Sequence, residues 1–184
     1  MLSSLQSQLA ARHLRRGGII AYPTEGVYGL GCDPLDPHAV ERLLSLKGRS
    51  AAKGFILIAA NFAQVEHFLD IPDPAIHQRL HSAWPGPVTF VIPAADWVPD
   101  WLRGASSNLA VRVTAHPVAA ALCQAYGGPL VSTSANKSGQ RPALSPLAIR
   151  KHFPPEDVLL VPGRLGGASG PTPIYEAVSG KRLR

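Results

Sequence analysis

No apolar run in this 184-residue chain approaches the roughly 20 residues that a membrane-spanning helix needs. The opening stretch, MLSSLQSQLAARHLRRGG, has no apolar secretory segment, so the chain is expected to be cytoplasmic. Cysteine is scarce. Cys32 and Cys123 lie far apart, each among apolar neighbours, which fits buried free thiols in a reducing compartment rather than a disulfide scaffold. Aromatic residues are only 7% of the chain, too few for an extended base-stacking platform, although duplex-RNA readers that sense shape need none. Charged residues stop at 16% while hydrophobic ones reach 46%, a balance that excludes intrinsic disorder. Several catalytic signatures are absent as well. There is no G-x-x-x-x-G-K-[ST] phosphate loop and no G-x-S-x-G elbow, and GLGCDP puts Pro34 where a dinucleotide fingerprint needs its third glycine. His77 and His81 have zinc-like spacing on a predicted helix but no third ligand nearby, so no metal site is predicted there. An enzyme built from this chain would work without a protein nucleophile.

What is present is positive charge on an α/β pattern. The formal charge is +6 and the pI near 9.7, which predicts attraction to the phosphates of a nucleotide, of RNA or of an acidic surface. Leu2, Leu5, Leu9 and Leu14 mark a helical stripe ending at Gly17-Gly18. IIAYP (19–23) reads as a buried strand, and Asp36-Pro37 as the cap of a helix carrying Val40, Leu43, Leu44 and Lys47. FILIAA is a second buried strand, and Asn61 and Asp73 read as caps of two further helices. VTFVI (88–92), LAVRV (109–113), PLVST (129–133) and VLLV (158–161) are short β-rich runs. HPVAAALCQAYG (116–127) and the segment after Ser145-Pro146 read as helices. Strands alternating with helices, through unequal loops, predict one α/β domain over residues 1–184 with a mixed sheet.

Candidate chemistry falls at strand ends, where open α/β sheets bind ligands. KGRSAAK (47–53) places Lys47, Arg49 and Lys53 between a helix and a strand, either as a solvated loop or as a binding site for a polyanion. YPTEGVYGLGCD (22–33) reads as a loop turning through Gly26, Gly29 and Gly31, which allows close backbone approach to a ligand. Arg112 lies inside the otherwise apolar LAVRV. A guanidinium there needs an anionic partner, a structural carboxylate or a ligand. VSTSANKSG (131–139) runs from a strand into hydroxyls and an amide.

YPTEGVYGLGCDP, LKGRSAAKG, WPGPVTF, LAVRVTAHP and STSANKSG run in that order and, from about Gly18 to the end, resemble the YrdC/TsaC family of threonylcarbamoyl-AMP synthases. The length resembles the family's short bacterial form. The resemblance implies a YrdC-like twisted, open, mixed β-sheet flanked by helices. It implies condensation of L-threonine, bicarbonate and ATP into threonylcarbamoyl-AMP and pyrophosphate, with Mg2+ accompanying ATP. Partner enzymes that accept threonylcarbamoyl-AMP would then modify an adenosine beside the anticodon of certain tRNAs. Such a reaction needs positioning and charge neutralisation, so a cation-rich cleft without a triad suits it.

By the same resemblance, the K-x-R…S-x-N signature falls on Lys47, Arg49, Ser134 and Asn136. Lys47 and Arg49 are the expected catalytic residues and phosphate ligands, helped by Lys53. Ser134, Asn136, Asn108, Thr172 and Arg184 are expected at the nucleotide, with Leu183 anchoring the last segment. Arg112, Ser132, Thr24 and Gly26 are expected at threonine, Arg112 on its carboxylate. Two positions depart from the family's pattern. Gly26 stands where many relatives have threonine, and Ile58 where longer relatives have histidine, both positions lining the threonine pocket. Glu25 is a candidate partner for magnesium or the amino group, or else a solvated or a capping carboxylate; no protein-held metal cage is expected. Two readings stand beside the synthase: a module that binds tRNA or double-stranded RNA, and a carbamoyl-transfer enzyme of related fold.

Overall fold

Residues 2–71 and 73–184 are described by a computed structural model. β1 (Ile20–Pro23) and β2 (Tyr28–Gly31) form an antiparallel hairpin, with Ile20 opposite Gly31 and Pro23 opposite Tyr28. β3 (Ile56–Ala59), β4 (Thr89–Pro93), β5 (Asn108–Val113), β6 (Leu130–Ser134), β7 (Leu159–Leu160) and β8 (Ile174–Glu176) complete a sheet in the order β7-β1-β2-β6-β3-β5-β4-β8. The pairs β1–β7, β3–β5 and β4–β8 are parallel and the rest antiparallel, so the sheet is mixed, as expected.

Six α-helices accompany the sheet among the described residues: α1 (Ser4–Leu14), α2 (Pro37–Lys47), α3 (Pro74–Ala83), α4 (Asp100–Arg103), α5 (Pro117–Tyr126) and α6 (Pro146–His152). Local chemistry starts three of them. Asp36, Asp73 and Ser145 accept hydrogen bonds from free first-turn N–H groups, each before a proline whose fixed φ suits the first helical position. None of these helices is long and apolar enough to cross a membrane.

The period-2 alternation of the strands divides the core in two. Leu30, Leu57, Phe90, Val111 and Val131 face one side and pack with Val40 and Leu43 of α2 and Ile76 and Leu80 of α3. Each such side chain contributes about 1.5–3 kcal/mol on burial. Ile20, Tyr22, Ile58 and Leu130 face the other side, beneath Ala10 and Leu14 of α1 and Ala119 and Leu122 of α5. That helical cover stops partway across. Ile56, Ala110, Arg112 and Ser132 continue the same face and line an open cleft instead.

Three expectations change. YGLG is a strand, not a loop: Gly29 and Gly31 lie in β2, opposite Tyr22 and Ile20 of β1. Glycine is required at 31 because a Cβ there would sit 2.6 Å from the Val131 carbonyl oxygen and 2.9 Å from the Tyr22 ring. The buried face of α1 is Ser7, Ala10, Ala11 and Leu14, which leaves Leu5 and Leu9 exposed, because small residues let α1 lie close against α5. Asn61 caps a single 3-10 turn, Phe62–Gln64, rather than a helix. His77 and His81 both pack against the Phe62 ring, at centroid distances of 5.7 and 5.4 Å. Both cysteines are buried free thiols, and burial pushes the Cys123 thiol up to about 12.

Candidate active site

The uncovered half of the sheet floors a cleft of about 400 Å3. Four segments wall it. The tight β1–β2 turn supplies Thr24 and Gly26, closed by the Thr24 hydroxyl donating to the Val27 carbonyl at 2.7 Å. The connection from α2 to β3 supplies Arg49, Lys53 and Phe55. Gly170, Pro171 and Thr172 precede β8, and Leu183 and Arg184 close the last side. Arg49, Lys53, Arg112 and Arg184 all line the cleft, and none of its lining residues is a carboxylate. An anion entering it meets a net positive charge, Glu25 behind Arg112 offsetting only part of it, in a partly desolvated setting where such charge acts most strongly.

Each arginine is held yet keeps donors to spare. Arg49 follows Gly48, whose left-handed φ of 58° ends α2 and turns the chain toward the cleft. Its Nη2 donates to the Gly54 carbonyl at 2.9 Å, its guanidinium lies 5.6 Å over the Phe55 ring, and its buried Nε has no partner. Arg184 Nη2 donates to the Thr172 carbonyl at 2.9 Å. Main-chain bonds between Ile174 and residues 183–184 fix that segment. Leu183 is 53% exposed on the rim, so it does not anchor the segment as expected. Burial lowers the pKa of Arg49, and burial followed by the nearby Arg112 lowers that of Arg184.

Arg112 meets one of its two expected partners, a structural carboxylate. It is 5% exposed, and its Nη1 donates to Thr172 Oγ1 at 2.7 Å. Its Nη2 lies 3.7 Å from Glu25 Oε2, a structural carboxylate beyond good hydrogen-bond reach, and its Nε is buried without a partner. Donor capacity for a second anion therefore remains. Glu25 is buried rather than solvated. Its Oε1 accepts from the Thr114 hydroxyl at 2.5 Å, and that hydroxyl accepts from the His116 N–H, so its proton must point at Glu25.

Arg49, Lys53, Ser134, Thr172, Arg184, Thr24, Gly26, Arg112 and Ser132 thus meet around one cleft. Lys47, Asn136, Asn108 and Ile58 do not line it. Lys47 ends the buried face of α2, and its Nζ donates to the carbonyls of Ser134 at 2.5 Å and Asn136 at 2.8 Å. Burial, then the neighbouring Arg49 charge, lowers its pKa to about 8. Asn136 Nδ2 donates to the Lys137 and Gln140 carbonyls, bracing its own turn. Asn108 shares a sheet face with Ala110 and Arg112 but lies outside the lining. Ile58 sits under the helical cover. The sequence reading overlooked the apolar floor of Ile56, Val91 and Ala110, although the alternation in LAVRV already set Ala110 on Arg112's face.

The fold and cleft define a class, and comparison with known proteins gives it a family. The family described as Telomere recombination, Sua5/YciO/YrdC, matches residues 12–183, and the chain belongs to it. It is 54% identical over 183 residues to the threonylcarbamoyl-AMP synthase of Methylococcus capsulatus, covering 100% of this chain and 98% of the relative. Among solved structures, P. abyssi Sua5 complexed with L-threonine superposes with a TM-score of 0.88 at 30% identity, covering 96% of this chain. The chain spans only 52% of that protein. E. coli YciO superposes with a TM-score of 0.82 at 25% identity, covering 98% of this chain and 91% of its own.

Proposed function

We propose that this chain condenses L-threonine, bicarbonate and ATP into threonylcarbamoyl-AMP and pyrophosphate, the product for which its relatives are named. The observation that carries the reading is a cleft lined by four cationic side chains and no acidic one, ending at a buried arginine with donors to spare. The amine of threonine and bicarbonate give a carbamate and water. A carbamate oxygen attacks the α-phosphorus of ATP, and pyrophosphate leaves. No bond to the protein forms at any step, so catalysis rests on charge neutralisation and alignment.

In this reading Arg49 and Lys53 hold phosphate oxygens, each charge-assisted bond contributing about 1.5–3 kcal/mol. Arg184, Ser134 and Thr172 complete the nucleotide end, and Asn108 extends it. Arg112 takes the threonine carboxylate through two parallel N–H donors, with Ser132 and Thr24 beside it. Lys47 and Asn136 act from behind, holding the turn that presents Ser134.

Magnesium belongs to the substrate. Among the described residues no three His, Cys, Asp or Glu side chains gather as a metal site, and Glu25 is engaged by Thr114 and faces a guanidinium. The donor set does not fit a protein-held ion, so Mg2+ enters on the phosphates of ATP. The reading places the chain in the cytoplasm, handing its product to enzymes that modify tRNA. The +6 charge favours a diffuse, salt-sensitive association with tRNA that turnover does not require.

The test is pyrophosphate release by the purified chain with Mg·ATP. Release is expected only when threonine and bicarbonate are both present, and equally with or without tRNA. No release under any combination refutes the synthase reading. Obligatory tRNA dependence shifts it to an RNA-acting protein.

A further inference from the structure

The segment GRLGGASG, residues 163–170, crosses the β1–β2 turn, and its last residue, Gly170, lines the cleft. Four hydrogen bonds hold it there, the first from the Tyr28 hydroxyl to the Gly163 carbonyl at 2.8 Å. Gly166 N–H donates to the Thr24 carbonyl at 3.0 Å and Ala168 N–H to the Glu25 carbonyl at 2.9 Å. His116 Nε2 donates to the Arg164 carbonyl at 3.0 Å; a carbonyl can only accept, so the ring proton is on Nε2. At its far end the segment rests directly on Gly26. A Cβ added to Gly26 would lie 1.9 Å from the Gly170 carbonyl oxygen and 2.8 Å from the carbonyl carbon. Any side chain at position 26 must therefore push the segment outward by about 1 Å. Gly26, Gly170 and Arg112 all line the cleft, so this contact sets the width of the end at which Arg112 stands.

We propose that residues 163–170 are a strap closing the amino-acid end of the cleft, and that Gly26 is the specificity-determining residue that fixes how far the strap closes. Threonine as the occupant rests on the synthase reading. The strap approaches from main chain alone: its carbonyls, not its side chains, meet Gly26. Its path is set by positive φ angles at Gly167 (85°) and Gly170 (114°), which glycine adopts without strain. A displacement of about 1 Å near the reacting group can cost on the order of 100-fold in rate. The effect should fall on the amino acid and spare the nucleotide, whose Arg49 and Lys53 lie on a different wall.

Arg164 is exposed within the strap, so trypsin cleavage after it reports closure, read by mass spectrometry on the full chain. The wild type should be cut slowly, and more slowly still with threonine. Gly26→Ala should be cut several-fold faster, lose protection by threonine, and show a KM for threonine raised about tenfold or more while KM for ATP stays near wild type. His116→Phe removes the latch at Arg164 from outside the cleft and should reproduce the faster cutting and the weaker threonine KM. Wild-type cleavage and threonine KM in Gly26→Ala overturn the proposal. If Gly26→Ala does not fold, the same unchanged pair in His116→Phe overturns it. A wild type without turnover refutes the synthase reading instead, and the cleavage rates of the variants still decide whether the strap closes on Gly26.

Discussion

Replacing Lys47 with methionine should weaken the fold more than it weakens ATP binding. Methionine keeps the unbranched stem and removes only the ammonium. Two charge-assisted hydrogen bonds are lost, to the carbonyls of Ser134 and Asn136, worth about 1.5–3 kcal/mol each. Against this stands the cost of burying the charge. A pKa lowered from 10.5 to about 8 corresponds to roughly 3 kcal/mol against the protonated form. The difference leaves a net destabilisation of roughly 0–3 kcal/mol. Arg49→Met, by contrast, removes a charge that faces the cleft and should lower ATP affinity tenfold or more with little change in stability. Urea melts and calorimetric ATP titrations of folded protein separate the two. The pH dependence adds a signature. The folded pKa lies below the unfolded one, so between about 8 and 10.5 the unfolded chain holds a proton that the folded chain has released. The stability of the wild type relative to Lys47→Met should therefore rise across that window and be smallest below pH 8. Lys47→Met with a wild-type urea midpoint and tenfold weaker ATP binding would put the ammonium in the cleft and refute the reasoning.

Arg112→Lys keeps the charge but loses the planar fork, so KM for threonine should rise more than KM for ATP; equal rises would remove the carboxylate from Arg112. Gly31→Ala drives a methyl against the Val131 carbonyl and the Tyr22 ring and should cost about 1–3 kcal/mol in a thermal melt while leaving the ratio of the two KM values alone. A wild-type melting curve would show that β2 has room there.

Where structure follows from near neighbours, the chain could be read directly. Asp36-Pro37 and Ser145-Pro146 begin helices because the capping oxygen and the locked φ act within one turn. The strand LAVRV declares its faces through simple alternation. β2 is different, since YGLG has no β-branched residue and needs its glycines for the Tyr22 ring across the hairpin. Lys47 and Arg49 looked alike because they are close in sequence. The helical period says otherwise: Val40, Leu43 and Lys47 share the buried side of α2, whereas Arg49 lies beyond the Gly48 turn. The contact of residues 163–170 with the β1–β2 turn joins segments far apart in the chain and has no local signature.

The partial roof over the sheet has a consequence for how this molecule spends its working cycle. α1 and α5 shelter one half of a face, and whatever sits beside them shelters the other. An occupant of the cleft is a removable third layer, lying on Ile56, Val91 and Ala110 where another protein would lay a helix. Filling it at a hundred times its dissociation constant adds about 2.7 kcal/mol to the stability of the fold. The empty protein is then the looser form and the loaded one the tighter, so each turnover is also a small cycle of assembly. A labile acyl-adenylate leaves bulk water for as long as it serves as that layer, and meets water again when the layer is given up.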